Sequence, residues 1–107
     1  MQSVQAVKII SKKMLREFWE RRPDAERPLK QWLDITKKAA WSSFADVRNS
    51  FRFSDVVGRC VVFNIHGNDY RLVVRINYKR QIVYTRLVVT HEQYDDRKWR
   101  KNECGST

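Results

Sequence analysis

The strongest constraint on the fold is an alternation of side chains between Tyr70 and Tyr78. Every second residue from Tyr70 onward is apolar or aromatic, and the intervening residues include two arginines and Asn77. Because successive strand residues point to opposite faces of a sheet, the alternation predicts a strand with one apolar and one polar face. Apolar, β-branched segments at 60–65 and 81–89 flank it across short turns, so three antiparallel strands are predicted.

The first half of the chain has the apolar spacing of helices instead. Val7–Ile10 is predicted to be a short edge strand, and Ser11 is predicted to cap a helix that ends before Pro23. A second helix is predicted over about 24–40 and a short third one over 43–50. Tryptophans at this spacing favour core packing over base stacking. The sequence therefore predicts an α+β fold in which the helices pack on the apolar face of the sheet.

The chain is strongly basic, and this charge predicts a polyanionic partner. Among 107 residues there are 22 Lys and Arg against 12 Asp and Glu, a formal net charge of +10. Nucleic acid is favoured over a basic surface that serves only solubility. The sequence has no signal peptide and no transmembrane run, so a cytoplasmic protein without a membrane partner is expected. We expect a single domain over 1–107, with loose ends at 1–6 and 97–107.

Neither cysteine predicts a metal site or a disulfide. Cys60 and Cys104 have no metal-ligand spacing, and two cysteines are too few for a disulfide framework. Cys60 is expected to pack as a small hydrophobic residue, and Cys104 to be a free thiol in a polar tail. No zinc or two-metal spacing and no glycine-rich phosphate loop occurs, so we expect no metal and no cofactor.

The polar face of the sheet is predicted to carry a cluster of arginines. With two-residue turns at 67–68 and 79–80, the cross-strand pairs are Asn64 with Arg71, Arg75 with Tyr84, and Val73 with Arg86. One patch then collects Asn64, Arg71, Arg75, Tyr84 and Arg86. Segment 70–90 contains no acidic residue. Clustered arginines without a carboxylate suit a bound phosphate, although an ordinary solvated sheet face is the alternative.

Groups that can transfer protons follow the last strand. Thr90 begins a capping-box sequence, and the helical turn that it predicts places His91, Tyr94 and Asp95 on one face. An imidazole and a phenol can move protons, and a carboxylate can orient the imidazole. With arginines to stabilise charge, the set suits metal-independent RNA cleavage, in which the ribose 2′-OH attacks the adjacent phosphate. In the plainer interpretation, which spacing alone favours, His91 caps a helix and Asp95 is solvated.

Two motifs of the second half occur together in a known family. One reads FNI-G-N-YRLVV from Phe63 to Val74, and the other reads TH-YD from Thr90 to Asp95. With them, the chain resembles the HigB toxin family of the RelE-like superfamily. The likeness extends over nearly the whole chain, from about Val7 to the second motif.

This resemblance implies a fold, an activity and partners. The implied fold is RelE-like, a small antiparallel or mixed sheet with N-terminal helices on one face. The implied activity is that of a type II toxin, an endoribonuclease that cuts mRNA, in many members in the ribosomal A site. The implied partner is a cognate helix-turn-helix antitoxin, which neutralises the toxin and through which the complex contacts operator DNA.

The resemblance also suggests roles for individual residues. The expected catalytic residues are His91, Tyr94, Arg71 and Arg86. Beside these matched positions, the residues of the predicted patch and its adjoining turn that are expected to bind RNA phosphate are Asn64, Arg75, Lys79 and Tyr84. Two other functions stay open at this point: a non-catalytic module whose basic face docks on RNA or an acidic partner, and an inactive toxin relic that only regulates transcription with its partner.

Overall fold

A computed structural model describes residues 7–105, apart from the side chains at positions 101 and 102. Its strands are β1 (Lys8–Ile10), β2 (Asp55–Val57), β3 (Cys60–Ile65), β4 (Tyr70–Asn77) and β5 (Ile82–Thr90). Its α-helices are α1 (Lys12–Arg21), α2 (Glu26–Lys37), α3 (Phe44–Ser50), α4 (His91–Asp96) and α5 (Trp99–Glu103). The α+β prediction is confirmed. The expected loose arm at 1–6 lies outside the described residues.

The N-terminal helices begin and end near the predicted positions. The Ser11 hydroxyl accepts a hydrogen bond from the Met14 N–H and caps α1, which ends before Pro23 as predicted. The second helix is shorter than predicted, because a 3₁₀ turn at Pro23–Ala25 precedes α2. Asp24 lies within that turn and does not cap α2. Along residues 7–105 no helix has both the length and the apolar character needed to cross a bilayer.

The sheet is mixed and five-stranded, in the order β1-β5-β4-β3-β2. The three predicted antiparallel strands form its centre, β1 adds in parallel to β5, and the unpredicted β2 adds to β3. The alternating residues from Tyr70 to Tyr78 pack against the helices, as predicted, with Leu72 and Val74 fully buried. We call this side of the sheet the core face, and the side that carries Arg71 and Arg75 the second face.

The predicted register is confirmed at two pairs and wrong at the third. Asn64 lies opposite Arg71, and Tyr84 lies opposite Arg75. A β-bulge then shifts the ladder, so that Leu87 lies opposite Val73 and Arg86 is the extra residue of β5. Such a bulge leaves one residue out of the ladder and re-aims its side chain.

The C-terminal end covers the middle of the second face. Cys60, Val62 and Val73 are buried there in a second apolar cluster, against which Tyr94 and Trp99 pack. Cys104 is only 1% exposed and forms a disulfide with Cys60. The expectations of a free thiol, of an unbonded Cys60 and of a loose end are therefore wrong for residues 97–105. The two cysteines are 44 residues apart, so only the return of the chain to the sheet brings them together.

Candidate functional site

A cleft of about 580 Å³ opens at one end of the second face, where β4 and β5 approach their connecting turn. It contains four of the residues predicted to act on RNA: Arg75, Lys79, Tyr84 and Arg86. Cross-strand pairing places Arg75 beside Tyr84, and the bulge brings Arg86 to the same opening. Tyr84 is 37% exposed, so its ring is open to a ligand.

The cleft is cationic, and one of its cations has an acidic partner. Arg75 and Lys79 form no ion pair with the described side chains, whereas Arg86 Nε lies 2.9 Å from Glu103 Oε1 of α5. The expectation that this arginine cluster has no carboxylate is therefore wrong. Segment 70–90 itself is free of acids, but the returning C-terminal helix supplies one.

Tyr78 contributes a second phenol at the border between the cleft and the core face. Burial, together with the negative charge of Asp46, raises the pKa of Tyr78 above its ordinary value. Like any tyrosine hydroxyl at physiological pH, that of Tyr78 is neutral, and the raised pKa only reinforces this. It can donate a hydrogen bond to an anion in the cleft.

Asn64 and Arg71 do not join this cleft, so the single predicted patch is wrong. Arg71 lies four residues before Arg75, about 13 Å along β4, and the buried Val73 lies between them. Arg71 Nη1 donates to the carbonyl oxygen of Asn68 at 2.9 Å, and its guanidinium lies over the ring of Tyr94. The α5 helix and its apolar contacts thus divide the second face into two separate basic regions.

The predicted proton-transfer residues lie in the second of these regions. The Thr90 capping box is confirmed, since the Thr90 hydroxyl accepts from the Gln93 N–H while the Gln93 side chain accepts from the Thr90 N–H. His91 Nδ1 lies 3.1 Å from a carboxylate oxygen of Asp95, the contact predicted to orient the ring. Tyr94 instead stacks on Trp99 at 5.2 Å and packs in the second apolar cluster.

His91 is too far from the cleft to act on the same phosphate. It follows β5 directly, seven residues after Tyr84, which corresponds to about 23 Å along an extended strand. A depression beside His91 is lined by Arg22, Asp69 and Tyr70, among others, and therefore has mixed charge. The imidazole and the cationic cleft thus belong to two distinct candidate centres.

Metal-ligating side chains from two distant segments meet where the turn between β3 and β4 contacts the 3₁₀ turn before α2, a grouping that sequence spacing did not predict. Donor atoms of Asp24, His66 and Asp69 lie within 4.8 Å of one another, and all three residues are exposed. His66 Nδ1 lies 2.7 Å from Asp69, and the Tyr70 hydroxyl donates to Asp24 at 2.7 Å. Because protein partners already engage these groups, we interpret the cluster as a brace between the turn and the N-terminal helices.

The fold and the cleft together narrow the class of protein. A five-stranded mixed sheet with helices on its core face is compatible with a RelE-like toxin. Residues 25–97 match the HigB_toxin family, described as the RelE-like toxic component of a toxin–antitoxin system. The chain therefore belongs to this family and is a toxin component, for which an antitoxin is the implied partner. A search of curated proteins gives no match.

The C-terminal limit of the family match lies between the predicted site residues and α5. The match includes every residue predicted for the site, from Asn64 to Tyr94, and it ends before α5. Glu103 and Cys104 therefore lie beyond the matched region. Sequence reasoning missed the ion pair of Glu103 with Arg86 and the disulfide of Cys104 with Cys60. Trp99, a large aromatic residue in a mostly polar tail, was the signal that this segment packs on the sheet.

Proposed function

We propose that the protein is an endoribonuclease that cuts mRNA in the cleft between β4 and β5. The observation that carries the proposal is the convergence of Arg75, Lys79 and Arg86 around the Tyr84 phenol. Three cations around an exposed aromatic ring suit one phosphate and one stacked base of a single strand. Membership of a toxin family and the net charge of +10 support the same substrate.

The proposed reaction is transesterification within the RNA chain. The ribose 2′ oxygen attacks the adjacent phosphorus, the new O–P bond forms, and the bond to the 5′ oxygen breaks. The 2′-OH loses a proton and the leaving 5′ oxygen gains one, which leaves a cyclic phosphate and a 5′-OH. Arg75 and Arg86 stabilise the charge that builds up on the phosphate oxygens. Tyr84 and Lys79 are the groups of the cleft that exchange protons with the RNA.

The region around His91 is a second candidate centre for the same reaction. Its supporting observation is the imidazole, held 3.1 Å from Asp95 as in sites where a carboxylate orients a general base. Arg71 and Tyr94 lie on the same side of the dividing α5 helix. We rank this centre second, because its arginine is already bonded to backbone carbonyls and its depression has mixed charge.

The proposal extends to the partners of the reaction. The substrate is mRNA on the translating ribosome, in the A site, and the protein acts in the cytoplasm. The antitoxin is a helix-turn-helix protein that neutralises the toxin, and operator DNA is contacted only through their complex. These statements depend on the family and on the charge of the chain.

Mapping RNA 5′ ends after induced expression tests the cutting itself. Purified protein incubated with mRNA should yield new 5′-OH ends when translating ribosomes are present, and far fewer without them. The variants Arg75→Ala and Tyr84→Phe should lose cutting, whereas Arg16→Ala on the exposed face of α1 should retain it. RNA binding without any cut product, with ribosomes present, would instead support a non-catalytic basic module.

A further inference from the structure

Helix α5 lies on the second face beside the cleft, and the proposed cutting reaction does not require it. Three contacts fix its end to the sheet. The Cys60–Cys104 disulfide joins it to β3, the Arg59 N–H donates to the Cys104 carbonyl at 2.9 Å, and Gly58 leaves just enough space for that carbonyl. A Cβ at Gly58 would lie 2.7 Å from the same oxygen, so the C-terminal segment is closely fitted to the β2–β3 turn.

This fixed helix brings a carboxylate to the cleft. Glu103 Oε1 accepts from Arg86 Nε at 2.9 Å, and the glutamate side chain is only 23% exposed. A carboxylate and a phosphate present similar oxygen acceptors to a guanidinium. Glu103 therefore occupies a donor direction of Arg86 that an RNA phosphate would use. RNA that engages Arg86 fully has to displace an acceptor that belongs to the protein itself.

We propose that α5 regulates the cleft, with Glu103 competing against RNA phosphate for Arg86 and the disulfide holding the competitor in place. The inference rests on the proposed function, since it assigns a regulatory state to the same site. A dithiol reductant converts the Cys60–Cys104 disulfide into two thiols and is itself oxidised to a disulfide, a transfer of two electrons and two protons. Without the covalent link, only non-covalent contacts hold α5: the Arg86–Glu103 ion pair, the backbone hydrogen bond from Arg59 to Cys104 and the apolar contacts.

The oxidised and reduced proteins therefore differ in their affinity for RNA. In the oxidised protein Glu103 is held near Arg86 at high effective concentration, so RNA competes poorly. In the reduced protein the helix detaches more readily, and Arg86 joins Arg75 and Lys79 in binding phosphate. Both sulfurs are buried, so reduction has to be taken to completion and checked by mass after thiol alkylation.

The direct test removes the competing charge while the disulfide stays intact. Fluorescence anisotropy measures binding of a 2′-O-methyl oligoribonucleotide, which cannot be cut, to oxidised Glu103→Gln and to the control Glu20→Gln. Glu20 is an exposed residue of α1, so both variants gain the same net charge. Glu103→Gln should bind about two- to five-fold more tightly than the control, the range expected for a partly exposed ion pair.

Two further readouts distinguish competition from a structural effect. Because Arg86 of Glu103→Gln binds a counterion that RNA then releases, the slope of log affinity against log salt should steepen by about 0.7. Reduction should raise the affinity of the wild type for the oligonucleotide, as the Glu103→Gln substitution does. It should change the affinity of Glu103→Gln little. Equal affinities of the two oxidised variants would overturn the regulation.

The same set of proteins separates this inference from the proposed function. If the affinities differ as expected while the reduced wild type leaves mRNA uncut on ribosomes, cutting is refuted and regulation of an RNA-binding cleft is upheld. If Arg75→Ala abolishes cutting while the two glutamate variants bind alike, the regulation alone is refuted. Absence of RNA binding in every variant and redox state would refute both.

Discussion

The two ends of the second face carry similar residues in different states of engagement. In the cleft, Arg75 and Lys79 form no ion pair with the described side chains. At the α4 end, defined by Arg71, His91 and Tyr94, each side chain already has a protein partner. The comparison shows that residue type alone does not identify a phosphate site. What distinguishes the cleft is that Arg75 and Lys79 remain available to a ligand, and that of its three cations Arg86 alone is paired with a described side chain.

The largest expected effect is the loss of RNA cutting when an arginine of the cleft is removed. Arg75→Ala or Arg86→Ala should lower the single-turnover cleavage rate by about 10²–10³-fold, as expected for a donor that stabilises a charged transition state. Arg16→Ala on α1 controls for the loss of a positive charge. Cutting that survives in both cleft variants would move the active centre away from the cleft.

The next largest effect is a loss of stability when the C-terminal segment, which lies between the two ends of the second face, no longer fits against Gly58. Gly58 has φ +57°, and a Cβ there would lie 2.7 Å from the Cys104 carbonyl oxygen, so Gly58→Ala combines backbone strain with a clash. We expect it to lower the free energy of unfolding by about 2–3 kcal/mol in urea titrations. Gly67→Ala is the matched control. It has a similar φ of +63° with open space around it, and it should cost only about 1–2 kcal/mol. Equal losses would argue against close packing of the C-terminal segment.

A smaller effect is expected from the cap of α4. Thr90→Ala removes the hydroxyl that accepts from the Gln93 N–H, and it should cost about 1 kcal/mol of unfolding free energy by thermal denaturation. Ser43→Ala is the control, because Ser43 begins α3 without a side-chain hydrogen bond to the helix and should change stability little. If Thr90→Ala also abolishes cutting, the α4 end takes part in catalysis.

Tyr70 makes stability depend on pH in the alkaline range. Its hydrogen bond to Asp24, followed by burial, raises the pKa of Tyr70 above its unfolded value of about 10. The protonated phenol therefore stabilises the fold below pH 10, and this contribution is lost as the pH rises through the folded pKa. Tyr70→Phe should lose about 1 kcal/mol at neutral pH and show a shallower decline above pH 10 in urea titrations. Parallel declines for variant and wild type would contradict this.

The smallest effect is predicted for His91. His91→Ala should change the cleavage rate by less than about threefold, because an exposed side chain far from the cleft contributes little to either stability or charge. The measurement is the same single-turnover assay as for the arginine variants. A loss as large as that of Arg75→Ala would transfer the catalytic role to the α4 end.

Regular patterns in the sequence predicted the centre of the fold. The strict alternation of β4 identified the core face, and a capping box marked the start of α4 correctly. The bulge at Arg86 was missed because the predicted register assumed unbroken pairing. The run Leu87-Val88-Val89, in which the alternation fails, was the signal for it. A single extra residue does not change the residue types that identify a strand, but it changes which side chains face each other across the sheet.

The division of the site depends on contacts that local patterns do not encode. Arg71 and Arg75 lie about 13 Å apart on β4, and the C-terminal segment, whose polar sequence has no clear period, covers the face between them. Its attachment through Cys104 is a tertiary contact between positions 44 residues apart. Residue chemistry therefore predicted most members of the cleft, but it did not predict the separation of His91 from them.

The parallel pairing of β1 with β5 has a consequence for synthesis of the protein. Residues 8–10 bond to residues 82–84, and the Ser11 N–H donates to the Thr85 hydroxyl, so the first strand completes the sheet only with the last. A chain leaves the ribosome from its N-terminus, and this strand has to wait until residues 82–84 have been made. The strand it waits for also carries Tyr84 and Arg86. A nascent toxin on its own ribosome thus has no finished cleft, and the step that completes the sheet also completes the cleft.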